Sequence, residues 1–247
     1  MNDQIKILFI NGSPRKYGSS TQLMQIAIQG VRDAGGVEEV VYLYDHTIKQ
    51  CIGCVSEDTK HCKYPCLIND DDFNRIAENI ISADGVIIAT PVYWYAPSGV
   101  LKNFIDRLTC LENMIFHSGR SLLEGKVAGF IVTGLDSGVF MTVSYLMSVL
   151  NSMGVIIAPW SMAYTHVDDV LKDENALRDA YNVGYLVVEV IRALRRYGLH
   201  IGYRPDIDMN KIREVLIKYR EKSMNERDVR IREIMRLQST NTHKVLF

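Results

Sequence analysis

Short apolar runs alternate along the chain with longer stretches in which apolar residues recur every three or four positions. Ile5–Ile10 (IKILFI), Glu39–Tyr44 (EVVYLY), Gly85–Thr90 (GVIIAT), Lys126–Thr133 (KVAGFIVT) and Val155–Tyr164 (VIIAPWSMAY, interrupted by Pro159) have strand character. The continuous apolarity of GVIIAT is that of a strand covered on both faces. Between these runs, Leu23, Ala27 and Val31 share one helical face, as do Phe73, Ile76, Ala77 and Ile80, and Leu101, Phe104, Ile105 and Leu108. Phe140–Met153 and Asn175–Tyr197 predict two further helices. Asp70–Asp72 open the second helix, where acids suit the positive end of the dipole and are expected to be solvated. Strand and helix in regular alternation predict an α/β fold of three layers, a five-stranded parallel sheet with right-handed crossovers. In such sheets ligands sit beyond the carboxyl ends of the strands. The segments of interest therefore follow Ile10, Thr90 and Thr133.

The pattern changes after Tyr203-Arg204-Pro205-Asp206. Met209, Ile212, Val215, Leu216 and Tyr219 form an apolar stripe, continued by Ile231, Ile234, Met235 and Leu237 on a charged background. Residues 206–247 thus read as a helical extension of one or two helices beyond a domain of residues 1–205. Such a stripe needs a partner surface, on the domain or on a second chain.

Composition narrows the classes. The 247 residues are 47% hydrophobic and 9% aromatic, enough for a core and unlike a disordered chain. A net charge of −1 carries no global attraction to nucleic acid. From Asp208 onward ten Lys or Arg stand against six Asp or Glu; their interspersion reads as a solvated helix face. Nothing approaches the roughly 20 apolar residues of a membrane helix, and the N-terminus does not read as a signal peptide. The cytoplasm is the expected compartment.

The segment NGSPRKYGSST (Asn11–Thr21) leaves the first strand with more hydroxyls than a turn requires. Gly12 permits a tight exit and Gly18 close approach. Ser19, Ser20 and Thr21 stand at a helix start, where free N–H groups and the dipole favour an anion; Ser13 adds a hydroxyl and Arg15 a charged fork suited to phosphate. An ordinary helix cap accounts for the same hydroxyls. The pattern is neither a Walker loop nor Gly-x-Gly-x-x-Gly. After the third strand, Pro91, Val92, Tyr93, Trp94 and Tyr95 gather aromatic surface at a strand end. That suits a flat heteroaromatic ring; sealing of the sheet edge is the alternative.

Together GSPRKYGSST, CIGC and CLINDDDFNRIAENIISADGVIIATPVYWYAPSGVLKNFIDRL resemble the flavodoxin-like NAD(P)H-dependent FMN reductases, in particular the iron–sulfur flavoprotein branch. The resemblance spans about Ile5 to Tyr164. It implies strand order 2-1-3-4-5, bound FMN, reduction by NADH or NADPH, and homodimers or homotetramers. It puts the phosphate loop on Ser13, Arg15, Ser19, Ser20 and Thr21, and the isoalloxazine loop on Pro91, Val92, Tyr93, Trp94 and Tyr95. A third loop, TGLDSG, puts Thr133, Gly134 and Asp136 over the ring. Family members often have Gly-Asn-Thr where this chain has Ser19-Ser20-Thr21. FMN carries the chemistry in such proteins, so no catalytic acid or base is expected. Acceptors in keeping with the resemblance are a quinone, free flavin, a nitro compound or a protein. An electron-transfer module and a redox-sensing binding protein are the alternatives to an enzyme.

The cysteines Cys51, Cys54, Cys62 and Cys66 are spaced C-x2-C-x7-C-x3-C. In a reducing compartment such clustering favours metal or redox chemistry over structural disulfides. The iron–sulfur branch has a more compact array, with its third Cys close behind the second. A four-iron cluster, zinc with His61, a dithiol switch at Cys51 and Cys54, and metal-free thiols all remain open. Cys110, on the helix that follows, reads as core. The six histidines are scattered with no i, i+4 pair.

Overall fold

The computed structural model describes residues 4–203 and 206–242. These fall into two compact units that meet in sequence at Tyr203 and Arg204; Pro205, at the expected boundary, lies outside the described residues. The first unit carries the expected sheet. Its strands are β1 (Ile5–Asn11), β2 (Gly36–Tyr42), β3 (Gly85–Tyr93), β4 (Val127–Thr133) and β5 (Ile156–Thr165). All pair in parallel in the order β2-β1-β3-β4-β5. A two-residue strand, Ala96–Pro97, adds an antiparallel pairing to the end of β3.

Period-two alternation sorts the sheet's side chains between two cores. Ile5, Ile7 and Phe9 face one way, under α1 (Ser19–Asp33) and the long C-terminal helix of the unit, Glu174–Arg196. Leu8 and Ile10 face the other way, under α2 (Phe73–Ser82), α3 (Gly99–Arg107) and α4 (Val139–Ser152). The Glu174–Arg196 helix is α5. It and α1 approach so closely that a methyl on Gly184 would stand 1.9 Å from the Ala27 carbonyl oxygen, and one on Gly30 2.1 Å from that of Tyr181. Only glycine allows this contact.

Two boundaries depart from the sequence pattern. Leu43 and Tyr44, read as strand, belong to a 3₁₀ turn after β2. In β5 the pairing slips between Ala128 and Phe130: Ile157 pairs with the first and Met162 with the second, so the residues around Pro159 bulge out. Proline cannot donate to the ladder, which accounts for the break. The second unit contains one continuous helix, α6 (Met209–Thr242), rather than two. Its apolar residues Ile212, Val215, Leu216, Tyr219, Ile231 and Ile234 are exposed.

Candidate functional site

The first loop is built around a residue the sequence reading passed over. Asn11 ends β1 fully buried. Its amide nitrogen donates to Thr21 Oγ1 (2.9 Å), and its Oδ1 accepts from the Ser13 N–H (2.7 Å). Thr21 Oγ1 and Ser13 Oγ both donate to the Arg15 carbonyl (3.2 and 3.1 Å). Asn11 therefore bolts the loop to the first turn of α1. A polar residue closing an otherwise apolar strand run was the available signal.

The N-cap of α1 is Gly18, and no side chain caps it. The ordinary-cap reading of the hydroxyls is thus not what the fold uses. The first-turn N–H groups have no intrahelical acceptor and are left for an anion.

The second loop is a tight hairpin. Val92 and Tyr93 pair with Pro97 and Ala96, and Trp94 and Tyr95 form its tip at φ +50° and +65°. Two successive left-handed residues make a type I′ turn, normally the place of Asn and Gly. Holding Trp and Tyr there costs about 1–2 kcal/mol each. Trp94 is 93% exposed; Tyr93 and Tyr95 are about half exposed. The third loop reaches the hairpin directly, because Ser137 Oγ donates to the Tyr95 hydroxyl (3.1 Å). It is anchored behind by the Gly134 N–H, which donates to the Thr165 carbonyl (3.1 Å).

These three loops follow β1, β3 and β4 and meet at the carboxyl edge of the sheet, where strand order reverses about β1 and β3. They enclose a cavity of about 290 Å³. Ser13, Arg15, Ser19 and Ser20 of the first loop line it together with Pro91, Val92 and Tyr93 of the second and Thr133 and Gly134 of the third. Thr21 does not line it but braces it from beneath. Trp94, Tyr95 and Asp136 line an adjoining hollow of about 220 Å³, which shares Val92, Gly134 and Leu135 with the first. Leu135, Val167 and Asp168 are walls that sequence reading missed. The last two follow β5, and Ser19 Oγ donates to the Asp168 carbonyl (3.3 Å).

The cysteines gather elsewhere. Cys51, Cys54, Cys62, Cys66 and Cys110 line one small hollow of about 20 Å³ together with Arg107, the last residue of α3. Cys110 is thus both buried and part of the thiol group. Asn113 donates to the Cys62 and Thr59 carbonyls, and Asn74 brackets Cys66 by bonding both its N–H and its carbonyl. Burial pushes the Cys62 thiol up to about 12, reinforced by neighbouring Cys54. A hydrogen bond with Cys110 draws Cys66 down to about 5, with Arg107 assisting. The same bond, then burial, raises Cys110. Among the described residues no three Cys, His, Asp or Glu side chains are gathered to metal-holding distance. The thiols are sulfur donors in kind, but the hollow as it stands does not bring them together as a ligand set for a metal or cluster.

One expectation needs correction here. Asp70–Asp72 are not uniformly solvated. Asp71 is buried to 0% side-chain exposure in an ion pair with Arg107, whose Nη1 lies 2.5 Å from Asp71 Oδ2. The Asp71 carboxylate also accepts from the Lys49 N–H (2.8 Å) and the Phe73 N–H (3.1 Å).

A parallel sheet in the order 2-1-3-4-5, with a phosphate-type cradle at its first crossover and an aromatic hairpin beside it, defines a flavodoxin-like flavoprotein. The sequence profile of the NADPH-dependent FMN reductase family matches residues 5–167, and the chain belongs to that family. It is 28% identical over 193 residues to an iron–sulfur flavoprotein of Archaeoglobus fulgidus, covering 78% of this chain and 83% of that protein. It is 27% identical over 203 residues to the iron–sulfur flavoprotein MJ1083 of Methanocaldococcus jannaschii, covering 78% of this chain and all of that one. Among solved structures, RosB with a bound 8-demethyl-8-formylriboflavin-5′-phosphate intermediate superposes with a TM-score of 0.65 at 18% identity. The match covers 83% of this chain and 92% of RosB and shows likeness of fold. The protein is an NAD(P)H-dependent oxidoreductase of the FMN reductase family. No helix among the described residues is long and apolar enough to cross a membrane.

Proposed function

We propose that the chain binds FMN with its phosphate in the Ser13–Thr21 cradle and its ring between the Pro91–Tyr95 hairpin and the Thr133–Asp136 loop. In this reading it takes hydride from NADH or NADPH and passes electrons to a quinone, flavin, nitro compound or protein acceptor. The observation that carries it is the convergence of three separate loops on one cavity whose lining combines Arg15 and the Ser13, Ser19 and Ser20 hydroxyls with Pro91, Val92 and Tyr93. Free first-turn amides, the Ser13, Ser19 and Ser20 hydroxyls and the Arg15 guanidinium suit a phosphate monoester. Tyr93 and Val92 offer a flat apolar wall, and the Tyr95–Ser137 bond holds the ring-side loops together.

Bound FMN supplies the redox chemistry, its N5 taking hydride and releasing electrons singly or in pairs. The chain's residues bind, orient and shield it. Exposed Trp94, Leu135, Phe140 and Met141 around the hairpin suit a homodimer or homotetramer assembled in the cytoplasm, which light scattering tests. Gently purified protein should show flavin absorption that bleaches anaerobically with NADH or NADPH. Colourless material that takes up no added FMN overturns the proposal.

A second reading concerns the cysteine hollow. Cys51, Cys54, Cys62 and Cys66 would hold a four-iron cluster that relays single electrons to the acceptor. The lining of one hollow by all four thiols favours it over scattered core cysteines. Iron and sulfide analysis after anaerobic purification tests it.

A further inference from the structure

A cavity of about 440 Å³, larger than the one the three loops enclose, lies at the opposite, amino-terminal edge of the sheet. Asp84, Lys126 and Ile156, at the starts of β3, β4 and β5, line it, and residues 198–201 beyond α5 form one wall. Seven residues of β4 at about 3.3 Å each put it roughly 20 Å from the three loops. Ile156, Ile191 and Leu194 make its lining largely apolar, and Leu199 and Ile201 add apolar surface that is more than half exposed. The charges in the lining are unevenly paired. Both carboxylates are already engaged. Asp84 Oδ1 lies 2.5 Å from Arg195 Nη2, and its Oδ2 accepts from the Lys6 N–H (2.8 Å). Glu124 Oε1 lies 3.1 Å from His200 Nε2, and its Oε2 accepts from the Tyr203 N–H (3.4 Å). The other two cations are in no ion pair. Arg120 is exposed, and its side chain makes no hydrogen bond or ion pair among the described residues. Lys126 is 9% exposed, and its ammonium donates to the Ile81 and Ala83 carbonyls (2.8 and 2.6 Å). Those bonds close the end of α2, whose last carbonyls lack helical partners. They use two of three ammonium donors and supply no counter-charge. Burial holds the Lys126 ammonium down to about 8, with Asp84 opposing.

We infer that this cavity is a ligand site separate from the three-loop cavity, and that it takes a small apolar carboxylate whose head group meets Lys126 and Arg120 and whose body lies on Ile156, Ile191, Leu194 and Leu199. The volume is that of a small-molecule site. A carboxylate supplies the counter-charge that buried Lys126 lacks, and the Arg120 guanidinium is a planar fork suited to the same group. The apolar body takes the place of water over the aliphatic walls. A compact anion such as inorganic phosphate would leave those walls wet, and a neutral hydrocarbon would leave both cations unpaired. The two cavities share no lining residue, so a molecule held here does not meet the residues of the three loops.

The test is isothermal titration of the full-length protein, with FMN in excess, using 2-naphthoate and its uncharged counterpart 2-naphthalenemethanol. Naphthoate should bind saturably at one site per chain, and the alcohol at least about tenfold more weakly. Arg120→Gln should weaken naphthoate about tenfold and leave the alcohol unmoved. Leu199→Asp, which sets a like charge against the carboxylate, should weaken naphthoate by at least as much. Arg120 and Leu199 are both exposed, so neither substitution disturbs the core. Flavin content and anaerobic bleaching by NADH or NADPH should be the same in both variants as in the wild type. Three results overturn the inference: no saturable binding up to about 5 mM, equal affinity for acid and alcohol, or naphthoate affinity unmoved by both substitutions. The last would put the probe elsewhere on the molecule.

Discussion

Gly138 opens α4 at φ +92°, directly against the tip of the aromatic hairpin. A methyl at this position would stand 2.8 Å from Tyr95 Cδ1 and 2.9 Å from Tyr95 Cα, against an ordinary contact of at least 3.4 Å. The loops then have to part by roughly 0.5 Å, or Tyr95 has to rotate. Rotation is opposed, because Tyr95 is itself left-handed and its hydroxyl is held by Ser137. A left-handed alanine costs about 1–2 kcal/mol and overpacking about 1–3 kcal/mol. The free protein relieves part of this by opening the rim, and ligand binding must then restore the alignment. We expect about 2 kcal/mol to appear as roughly 30-fold weaker FMN affinity in Gly138→Ala. Gly119 provides the control. It also has positive φ, +85°, but nothing lies within 4 Å of an added methyl. Gly119→Ala should lower stability by about 1–2 kcal/mol and leave FMN affinity unchanged. The assay is flavin fluorescence titration of FMN-depleted protein, with urea unfolding in parallel. Affinity in Gly138→Ala within about threefold of wild type, or an equal loss in Gly119→Ala, would refute the coupling of the two loops.

Further expectations follow from other parts of the fold. Arg15→Ala should weaken FMN about tenfold and leave riboflavin binding unmoved, since only FMN carries the phosphate; equal loss of both ligands contradicts the cradle. Gly184→Ala gains about 1 kcal/mol of helix propensity, yet should lose about 3 kcal/mol or more in urea unfolding, because its methyl meets backbone at 1.9 Å. Asp173 caps α5 through the Ala176 N–H (3.0 Å) and accepts from Thr165 Oγ1 (2.6 Å). Asp173→Ala should cost about 1 kcal/mol at neutral pH. The Thr165 bond, then the Ala176 bond, lowers the Asp173 pKa. Its contribution is therefore full above the ordinary carboxylate range of about 4 and is lost as pH falls through the lowered value; a gap between wild type and variant that widens in acid contradicts this. Ending the chain after Asp206 should change the oligomeric state or the solubility, and an unchanged number of subunits by light scattering with no aggregation tells against a partner for the exposed stripe.

The central strands β1, β3 and β4 were legible because they are largely buried on both faces and read as nearly unbroken apolar runs, whereas β2 is only half-buried, β5 is interrupted, and the strand order came from the family resemblance. The helices were legible from their stripes. What escaped is long-range or hidden in single polar residues. Asn11 looks like a turn residue, yet its worth lies in two bonds across the loop that no periodicity reports. Val167 and Asp168 join the cavity only because β5 lies next to β4. Asp71 was indistinguishable from its neighbours Asp70 and Asp72, since helix-start acids share one pattern whether or not a buried arginine lies behind one of them. Arg107, which the periodicity of α3 left without a role, is buried because α3 ends against the loop that carries the cysteines. The bulge at Pro159 was visible in the sequence as an interruption, whereas its size depended on the register of β4.

The position of α3 mechanically joins the cavity to the cysteine hollow. The helix begins at Gly99, two residues beyond the short strand that closes the aromatic hairpin, and ends at Arg107 on the cysteine hollow. Nine residues at about 1.5 Å each put its ends roughly 12 Å apart. The apolar face between them, Leu101, Phe104 and Ile105, is buried in the core that also holds Phe73 and Ile76 of α2. One rigid element thus carries the ring-side loop at its start and the cation of the thiol group at its end.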